Sequence, residues 1–233
     1  MKTSFCTASG VLAAAIAVGN MTPATAQDAI ITNQARVTAF DADDFVFPLG
    51  TVEPTNLVNG FQIRGVNVNQ LPALDGYGIS MALVNLDPCT INLPHLHPRA
   101  TEISYVISGG FRTAFVEENG GEGAVMNDLV AGDVTLYPQG LIHYQQNLGC
   151  EPAVFLAALS SEDPGAVTVA TAFFNLPTEA VTGTLNVVDT EVQKLLDALP
   201  MAPAMARREC LMTCGLLDDD DSSDSSDDND DSH

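Results

Sequence analysis

The sequence predicts an all-β protein, built as one jelly-roll β-barrel with short C-terminal helices. Between Gly60 and Phe174 the chain is a succession of short apolar runs separated by turns rich in glycine and proline. Many short strands at close spacing are typical of double-sheet and barrel architectures. After Pro177 the apolar residues recur with the period of a helix. The 233 residues are enough for one such barrel.

The predicted domain organisation has five segments. The first, residues 1–26, has an early lysine, an apolar run from Val11 to Val18 and small residues up to Ala26, a pattern typical of a secretory signal peptide. The others are an N-terminal arm at 27–44, the barrel at 45–176, a helical segment at 177–217 and an acidic tail at 218–233. The Asp- and Ser-rich tail has no apolar residue to bury, so we expect it to be disordered.

The barrel strands are predicted from alternating apolar residues and from the turns between them, such as Gly109-Gly110 and Asn119-Gly120-Gly121. A short strand at Arg36 to Phe40 is also expected in the arm. The barrel runs are Phe45 to Leu49, Gly60 to Val68, Tyr77 to Leu86, the stretch around His95, Ala100 to Ser108, Phe111 to Glu118, Ala124 to Val130, Asp133 to Tyr137, Ile142 to Asn147, Ala153 to Ser160 and Val167 to Phe174.

The C-terminal helix is predicted to run from Asp189 to Leu199, after a short helical turn at Thr178 to Val181. Aspartate is a preferred residue at a helix N-terminus. Four apolar side chains fall on one face of this helix: Val192, Leu195, Leu196 and Leu199. Such a face at the end of a β domain needs a surface to pack against.

A metal site is predicted from two short motifs. His95 and His97 are two residues apart, so on a strand both imidazoles point to the same side. Glu102 follows after a proline-marked bend. His143 starts a later strand, directly after Pro138-Gln139-Gly140. Imidazole and carboxylate ligands together suit a first-row divalent metal, among which the sequence does not select manganese, iron, nickel or zinc.

These residues resemble the two sequence motifs of the germin-type cupins. His95, His97, Glu102 and Gly109 match the first motif, and Gly132, Pro138, Gly140, His143 and Asn147 match the second. The similarity extends from about Asp41 to Leu199. Pro88-Cys89 and Gly149-Cys150 most resemble the spherulin branch of the germin-like proteins. Cys89 is a departure, since the first motif usually begins with glycine.

The resemblance implies a single cupin jelly-roll β-barrel in which His95, His97, Glu102 and His143 hold a manganese ion, Mn²⁺. It implies superoxide dismutase or oxalate oxidase activity, and a homo-oligomer, a hexamer, joined through the C-terminal helices. The alternative is a non-enzymatic wall, coat or storage protein, because spherulin-type relatives are associated with dormancy. Binding of a small carboxylate or sugar ligand without turnover is a third interpretation. Whether the protein is an enzyme is therefore left open.

Residues beyond the metal ligands bear on the activity. Asn92 matches one of the two asparagines that hold the dicarboxylate in oxalate oxidases of this family, but Ala82 stands where the other would lie, which argues against oxalate. Gln145 and Asn147 share a strand face with His143 and are predicted to orient its ring or a bound substrate. A strongly negative protein repels superoxide, which argues against dismutation.

The cysteines of an exported protein meet an oxidising compartment. The four that follow the signal allow three pairings. If the histidine strands flank one metal, their ends are neighbours, which favours a disulfide between Cys89 and Cys150. Cys210 and Cys214 are then left to each other, or they stay free or pair between subunits.

The net charge is −22 and no basic patch interrupts it, so we expect no nucleic-acid partner and no contact with an anionic membrane surface. No later segment has the roughly 20 apolar residues that span a bilayer. We therefore predict a secreted protein of the extracellular space or cell wall. The acidic tail is either a solvated chain or a contact for calcium or a cationic wall surface.

Overall fold

The computed structural model describes residues 32–54, 56–58, 60–199 and 204–217. The predictions of a signal peptide and of a disordered acidic tail lie outside these residues. The chain divides into two compact units, Met1–Ala39 and Phe40–His233. In the first unit, helix α1 at Asn33–Thr38 begins where the Thr32 hydroxyl accepts a hydrogen bond from the Ala35 amide. The predicted strand at Arg36 to Phe40 is therefore wrong.

The second unit is built from twelve described strands. They are β1 Asn56–Val58, β2 Phe61–Val66, β3 Ser80–Leu86, β4 Thr90–Leu96, β5 Glu102–Ser108, β6 Gly110–Val116, β7 Ala124–Val130, β8 Val134–Tyr137, β9 His143–Gln146, β10 Ala153–Leu159, β11 Val167–Thr168 and β12 Ala204–Ala206. Its described helices are α2 Val169–Phe174, α3 Thr178–Leu185, α4 Asp189–Ala198 and α5 Arg208–Thr213, with 3-10 turns at Ala42–Phe45 and Pro72–Leu74.

The strands form two antiparallel sheets. One has the order β1-β2-β3-β10-β5-β8, and the other has the order β11-β4-β9-β6-β7, with β12 also paired to β4. The crossovers between the sheets make the predicted jelly-roll, so the fold class is confirmed. The two sheets share one apolar core, in which the rings of Phe111 from β6 and Phe155 from β10 lie 5.0 Å apart.

Alternation along the chain decides which side chains enter the core. On β5, Glu102, Ser104 and Val106 are buried, whereas Ile103 and Tyr105 are about half exposed. The same alternation of buried and partly buried residues runs along β3 and β10. The sequence pattern of β5 predicts this arrangement, including the inward carboxylate.

Three runs depart from the predicted elements. Phe45 to Leu49 is not a strand, because a 3-10 turn ends at Phe45 and Pro48 follows. In the run from Val167 to Phe174, only Val167–Thr168 is a strand, and the remainder forms helix α2. A short continuous apolar run does not distinguish strand from helix by its period. The segment predicted as wholly helical also contains β12.

Both disulfides tie the C-terminal segment to the barrel. Cys89 pairs with Cys210 and Cys150 pairs with Cys214, so the predicted Cys89–Cys150 bridge is wrong. The reasoning that placed Cys89 near Cys150 holds in part, because the amide of Cys89 donates to the carbonyl of Gly149. What the sequence did not reveal is that α5 packs against both ends and supplies a partner to each cysteine.

The structure explains why cysteine can occupy position 89, where the motif usually has glycine. Its φ of 65° lies in the left-handed region that favours glycine. The side chain is fully buried and bonded to Cys210. The backbone at Cys89 therefore has a conformation that glycine adopts easily. The disulfide holds the cysteine in this conformation, although a residue with a side chain would otherwise favour another one.

Candidate metal centre

Three strands bring the four predicted ligands together. His95 lies near the end of β4 and His97 directly after it, while His143 and Glu102 are the first residues of β9 and β5. In the ladder between β4 and β9, His95 stands opposite His143. The carbonyl of His97 accepts a hydrogen bond from the Gly140 amide, which joins the two motifs at their turns. The irregular pairing between Asn92 and His95 contains Pro94, which has no amide hydrogen to donate.

The ligand atoms of His95, His97, Glu102 and His143 all lie within 4.8 Å of one another. A carboxylate oxygen of Glu102 lies 3.0 Å from His97 Nε2 and 3.5 Å from His143 Nε2. His143 and Glu102 are 2% and 3% exposed. The structure thus places all four sequence-predicted ligands around one point in the barrel.

Backbone carbonyls fix the protonation of each ring. His95 Nδ1 donates to Leu93 O at 2.8 Å, His97 Nδ1 to Gly165 O at 2.6 Å, and His143 Nδ1 to Leu141 O at 3.0 Å. A carbonyl oxygen only accepts, so each Nδ1 carries the proton and each neutral ring presents a lone pair on Nε2. Such hydrogen bonds orient histidines that bind metals.

The pKa values of His95, His97 and Glu102 depend on their burial and on the charges and hydrogen bonds of neighbouring residues. Burial, together with the charge of a protonated His143, lowers the pKa of His95 to about 4. Burial alone would raise the pKa of Glu102, but the neighbouring rings of His143 and His97 hold it well below its usual range. Burial alone would lower the pKa of His97, and the hydrogen bond and charge of Glu102 raise it overall. At neutral pH the site therefore holds an ionised Glu102 carboxylate beside a neutral His95 ring.

These residues fit a divalent metal ion. Within the part of the chain that the structure describes, the buried Nε2 of His143 has no hydrogen-bond partner. Lone pairs of three imidazoles and a carboxylate that face one another in a buried site repel, unless a cation lies among them. In the metal-free protein a proton on His97 supplies part of the positive charge that this cluster requires. For this reason Glu102 raises the pKa of that ring. Nitrogen and oxygen ligands in this number suit a first-row divalent metal.

Two further residues support the ligands and were not predicted as part of the site. The buried Ser104 hydroxyl donates to Glu102 Oε1 at 2.7 Å, which leaves Oε2 to face the histidines. The ring of Tyr137 stacks on His143 with centroids 4.3 Å apart, and burial raises its pKa. Ser104 lies two residues after Glu102 on the same strand face, a spacing that was visible in the sequence. The contact of Tyr137 depends on strand order and was not.

A cavity of about 120 Å³ lies beside the four ligands. It has room for several water molecules or for one small molecule. It is lined by the ligands His95, His97 and Glu102, by the polar side chains Asn92, Gln145 and Thr168, and by the apolar side chains Phe61, Ile63, Ala82, Val84, Phe155, Ala157, Leu159 and Ala166. The arrangement offers a metal with an open side, which is typical of a catalytic rather than a structural metal.

Two of the three predicted supporting residues face this cavity. Asn92 Nδ2 donates to Gln145 Oε1 at 2.7 Å, across the pairing of β4 and β9. Asn147 does not line the cavity. Its amide donates to the carbonyls of Leu86, Asp87 and Glu151, which fixes the loop after β9 against the end of β3. Asn147 therefore has a structural role, because it follows the end of β9 at Gln146 and its amide donates only to backbone carbonyls among the described residues.

Comparison with protein families gives one domain-level match. The family model described as Cupin matches residues 47–193. Spherulin-1A of Physarum polycephalum is 38% identical over 189 residues, which cover 78% of this chain and 75% of that protein. Germin-like protein 4-1 of Oryza sativa subsp. japonica is 45% identical over 150 residues, which cover 62% of this chain and 58% of that protein.

Solved structures show the same likeness. A structure from a study of the mechanism of oxalate oxidase superposes with a TM-score of 0.63 at 31% identity, over 69% of this chain and 83% of that one. An oxalate oxidase in complex with the substrate analogue glycolate matches with a TM-score of 0.63 at 30% identity, over the same shares of the two chains. The segment that matches the family model, residues 47–193, contains all four candidate ligands.

Proposed function

The chain belongs to the cupin family, among its spherulin and germin-like members, and on that basis we propose that it is a secreted manganese-dependent oxidoreductase acting on a small substrate. The observation that carries this proposal is the convergence of three histidine Nε2 atoms and one carboxylate oxygen on one point, next to a cavity. His95, His97, Glu102 and His143 would hold the ion.

Manganese is proposed over other divalent metals for two reasons. The candidate ligands are one carboxylate oxygen and three imidazole nitrogens, and none of them is a thiolate. Thiolate ligands favour copper(I), zinc or iron–sulfur clusters. Oxalate oxidases, the solved neighbours of this chain, turn over their substrate by a redox reaction, as their name states. A bound manganese ion would supply a centre that changes oxidation state and binds substrate oxygen.

The residues of the chain do the remaining work. The carbonyls of Leu93, Gly165 and Leu141 keep the protons on Nδ1, so the rings bind in one orientation. Ser104 holds Glu102, and the ring of Tyr137 holds His143 in place. The apolar side chains on the other side of the cavity limit water around the reacting atoms and strengthen the electrostatic interactions there.

Two reactions are proposed for assay. Superoxide dismutation converts two superoxide ions and two protons to dioxygen and hydrogen peroxide, and it needs only an accessible redox metal. Oxalate oxidation converts oxalate, dioxygen and two protons to two carbon dioxide molecules and hydrogen peroxide. Asn92 faces the cavity, as recognition of oxalate requires. Ala82, however, presents a methyl group at the position where a second amide would hydrogen-bond to the dicarboxylate. Superoxide dismutation is therefore the better supported of the two.

The test is to assay the secreted protein, purified without chelator, for superoxide decay and for hydrogen peroxide production from oxalate. His95→Ala is the inactive control. His233→Ala is the matched control, because it removes the one histidine outside the two motifs. Activity in wild type and His233→Ala but not in His95→Ala supports the proposal. Equal rates in all three proteins, or no rate in manganese-loaded wild type, contradict it.

A non-enzymatic wall, coat or storage protein is the second candidate. Spherulin-1A matches this chain over 189 residues, a longer alignment than that of the germin-like relative, and two disulfides lock the C-terminal segment. This candidate predicts that folded His95→Ala protein is incorporated into the wall and functions as well as the wild type.

We also propose that the protein is a homo-oligomer, in the form of a hexamer. Outward-facing apolar side chains cover β5 and the edge strand β8, namely Ile103, Tyr105, Ile107, Val134 and Leu136, each 46–57% exposed. Contiguous exposed apolar surface of this kind is typical of protein interfaces.

Export to the extracellular space or cell wall remains part of the proposal. Among the described residues, no helix has the length and apolar character to cross a membrane. The acidic tail is proposed to contact calcium or a cationic wall surface. Deleting residues 218–233 should then reduce calcium uptake and wall retention, and unchanged values would contradict that role.

A further inference from the structure

The cavity beside the candidate metal centre has two chemically different walls. Strands β4, β5 and β9 supply a polar wall, made of His95, His97, Glu102, Asn92 and Gln145. Strands β2, β3 and β10 supply a carbon wall, made of Phe61, Ile63, Ala82, Val84, Phe155, Ala157 and Leu159. A ligand that fills the space must therefore be polar at one end and apolar at the other.

The polar wall contains a hydrogen-bond donor without an acceptor. Gln145 is fully buried, its Oε1 accepts from Asn92 Nδ2, and its Nε2 has no hydrogen-bond partner among the described residues. A buried donor left without an acceptor costs stability, so this amide is suited to an oxygen atom of a ligand. A divalent cation held by one carboxylate and three neutral rings keeps a positive charge. Both features favour an anionic head group with two oxygens, which is a carboxylate.

The carbon wall is unsuited to a second charge. Among the cavity-lining residues that the structure describes, there is no lysine or arginine. Phe155 is 1% exposed, Val84 is 3% exposed and Ala82 is 8% exposed. A carboxylate placed against these side chains would lose its hydration without gaining a partner. Alkyl groups placed there would instead be removed from water favourably.

We propose that the cavity binds a compact alkyl monocarboxylate, with its carboxylate toward the metal ligands and Gln145, and its hydrocarbon body against Ala82, Val84 and Phe155. The proposal rests on the proposed function, because the head group needs the cation. Ala82 is the residue that sets the preference: its methyl group presents carbon to the ligand, and a longer polar side chain at this position on β3 would present a hydrogen-bond donor.

The test compares two probes with equal numbers of non-hydrogen atoms, isobutyrate and oxalate. Manganese-loaded protein is titrated with each by calorimetry, and metal content is measured before and after each titration because free oxalate chelates divalent cations. We expect isobutyrate to bind at least about tenfold more tightly than oxalate. Two variants of similar size then separate polarity from bulk: Ala82→Asn adds an amide, and Ala82→Leu adds carbon only.

Ala82→Asn should lower the preference for isobutyrate about tenfold or more, whereas Ala82→Leu should retain it. Oxalate binding to wild type as tightly as isobutyrate, with metal retained, overturns the monocarboxylate assignment and leaves the proposed function intact. An equal change of preference in the two variants also overturns it. Wild-type protein that binds no metal at all overturns the proposed function, and the assignment with it.

Discussion

At the scale of single residues, the metal centre depends on where protons sit. Each Nδ1 is fixed by a backbone carbonyl, so the binding nitrogen of each ring is set by strand geometry rather than by the ion. Glu102 is ionised while fully buried because donors from two directions meet it. The site is thus ordered for a cation before the cation arrives, which reduces the ordering cost of binding.

Ser104→Ala tests this ordering. Removing the hydroxyl leaves Glu102 Oε1 buried without a donor, and loss of such a supporting contact typically costs metal affinity about 10- to 100-fold. Ser108→Ala is the matched control, because Ser108 lies on the same strand but is exposed. Manganese affinity measured by competition with a chelator should fall in Ser104→Ala only. Equal affinity in both variants would mean that Ser104 does not orient Glu102.

Acidification should release the metal. Glu102 raises the pKa of His97 in the metal-free protein, so below that pKa each ion must displace a proton to bind. Affinity should therefore be constant at high pH and should fall steadily as the pH drops through the raised pKa of His97, which lies above the ordinary value of about 6.5. Metal retention after dialysis at a series of pH values measures this. Retention that rises on acidification would contradict the proposed protonation of the ligands.

At the scale of elements, the C-terminal segment is attached to the strands that carry the candidate ligands, by strand pairing and by two disulfides. Strand β12 pairs with Thr90 to Asn92 on β4, and α5 is bridged to Cys89 before β4 and to Cys150 after β9. The two bridges close segments with sequence separations of 121 and 64 residues. Cross-links over such long loops restrict the unfolded chain most.

Replacing Cys150 and Cys214 together by serine should lower the free energy of unfolding by about 2–5 kcal/mol. Guanidinium unfolding of the double variant and of wild type measures the difference. The pairing itself is tested on unreduced protein cleaved with cyanogen bromide at Met212, which separates Cys210 from Cys214. Further proteolysis should yield Cys89 linked to Cys210, and recovery of Cys89 linked to Cys150 would contradict the structure.

The sequence was sufficient for most strands and for all four ligands, for a physical reason. The run Glu102 to Ser108, for example, alternates between buried and exposed side chains and ends at Gly109, so its limits are set locally. The ligands lie in two short motifs with fixed spacing. The disulfide pairing, the stacking of Tyr137 on His143 and the structural role of Asn147 depend on contacts between distant segments, which no local pattern encodes.

At the scale of the whole molecule, charge and apolar surface have separate roles. The net charge of −22 predicts repulsion of nucleic acid and anionic surfaces. The apolar surface of β5 and β8, in contrast, lies on the outside of one sheet and at its edge. An edge strand with exposed apolar side chains promotes association unless another chain covers it.

Ile103→Glu with Leu136→Glu should therefore dissociate the proposed oligomer, because the two side chains face each other across β5 and β8 and the new charges would repel. Light scattering after size-exclusion chromatography gives the mass. Val46→Glu, at an exposed apolar site outside the sheets and outside the C-terminal helices, is the control. Wild-type protein that elutes as a monomer would contradict the proposed oligomer.

The central claim is that His95, His97, Glu102 and His143 hold one manganese ion. The most direct measurement is the metal content of secreted protein purified without chelator, together with electron paramagnetic resonance of the bound ion. We predict about one manganese per chain in wild type and in His233→Ala, with coupling to histidine nitrogen, and its loss in His143→Ala. Folded wild-type protein without metal, or manganese retained in His143→Ala, would contradict the claim.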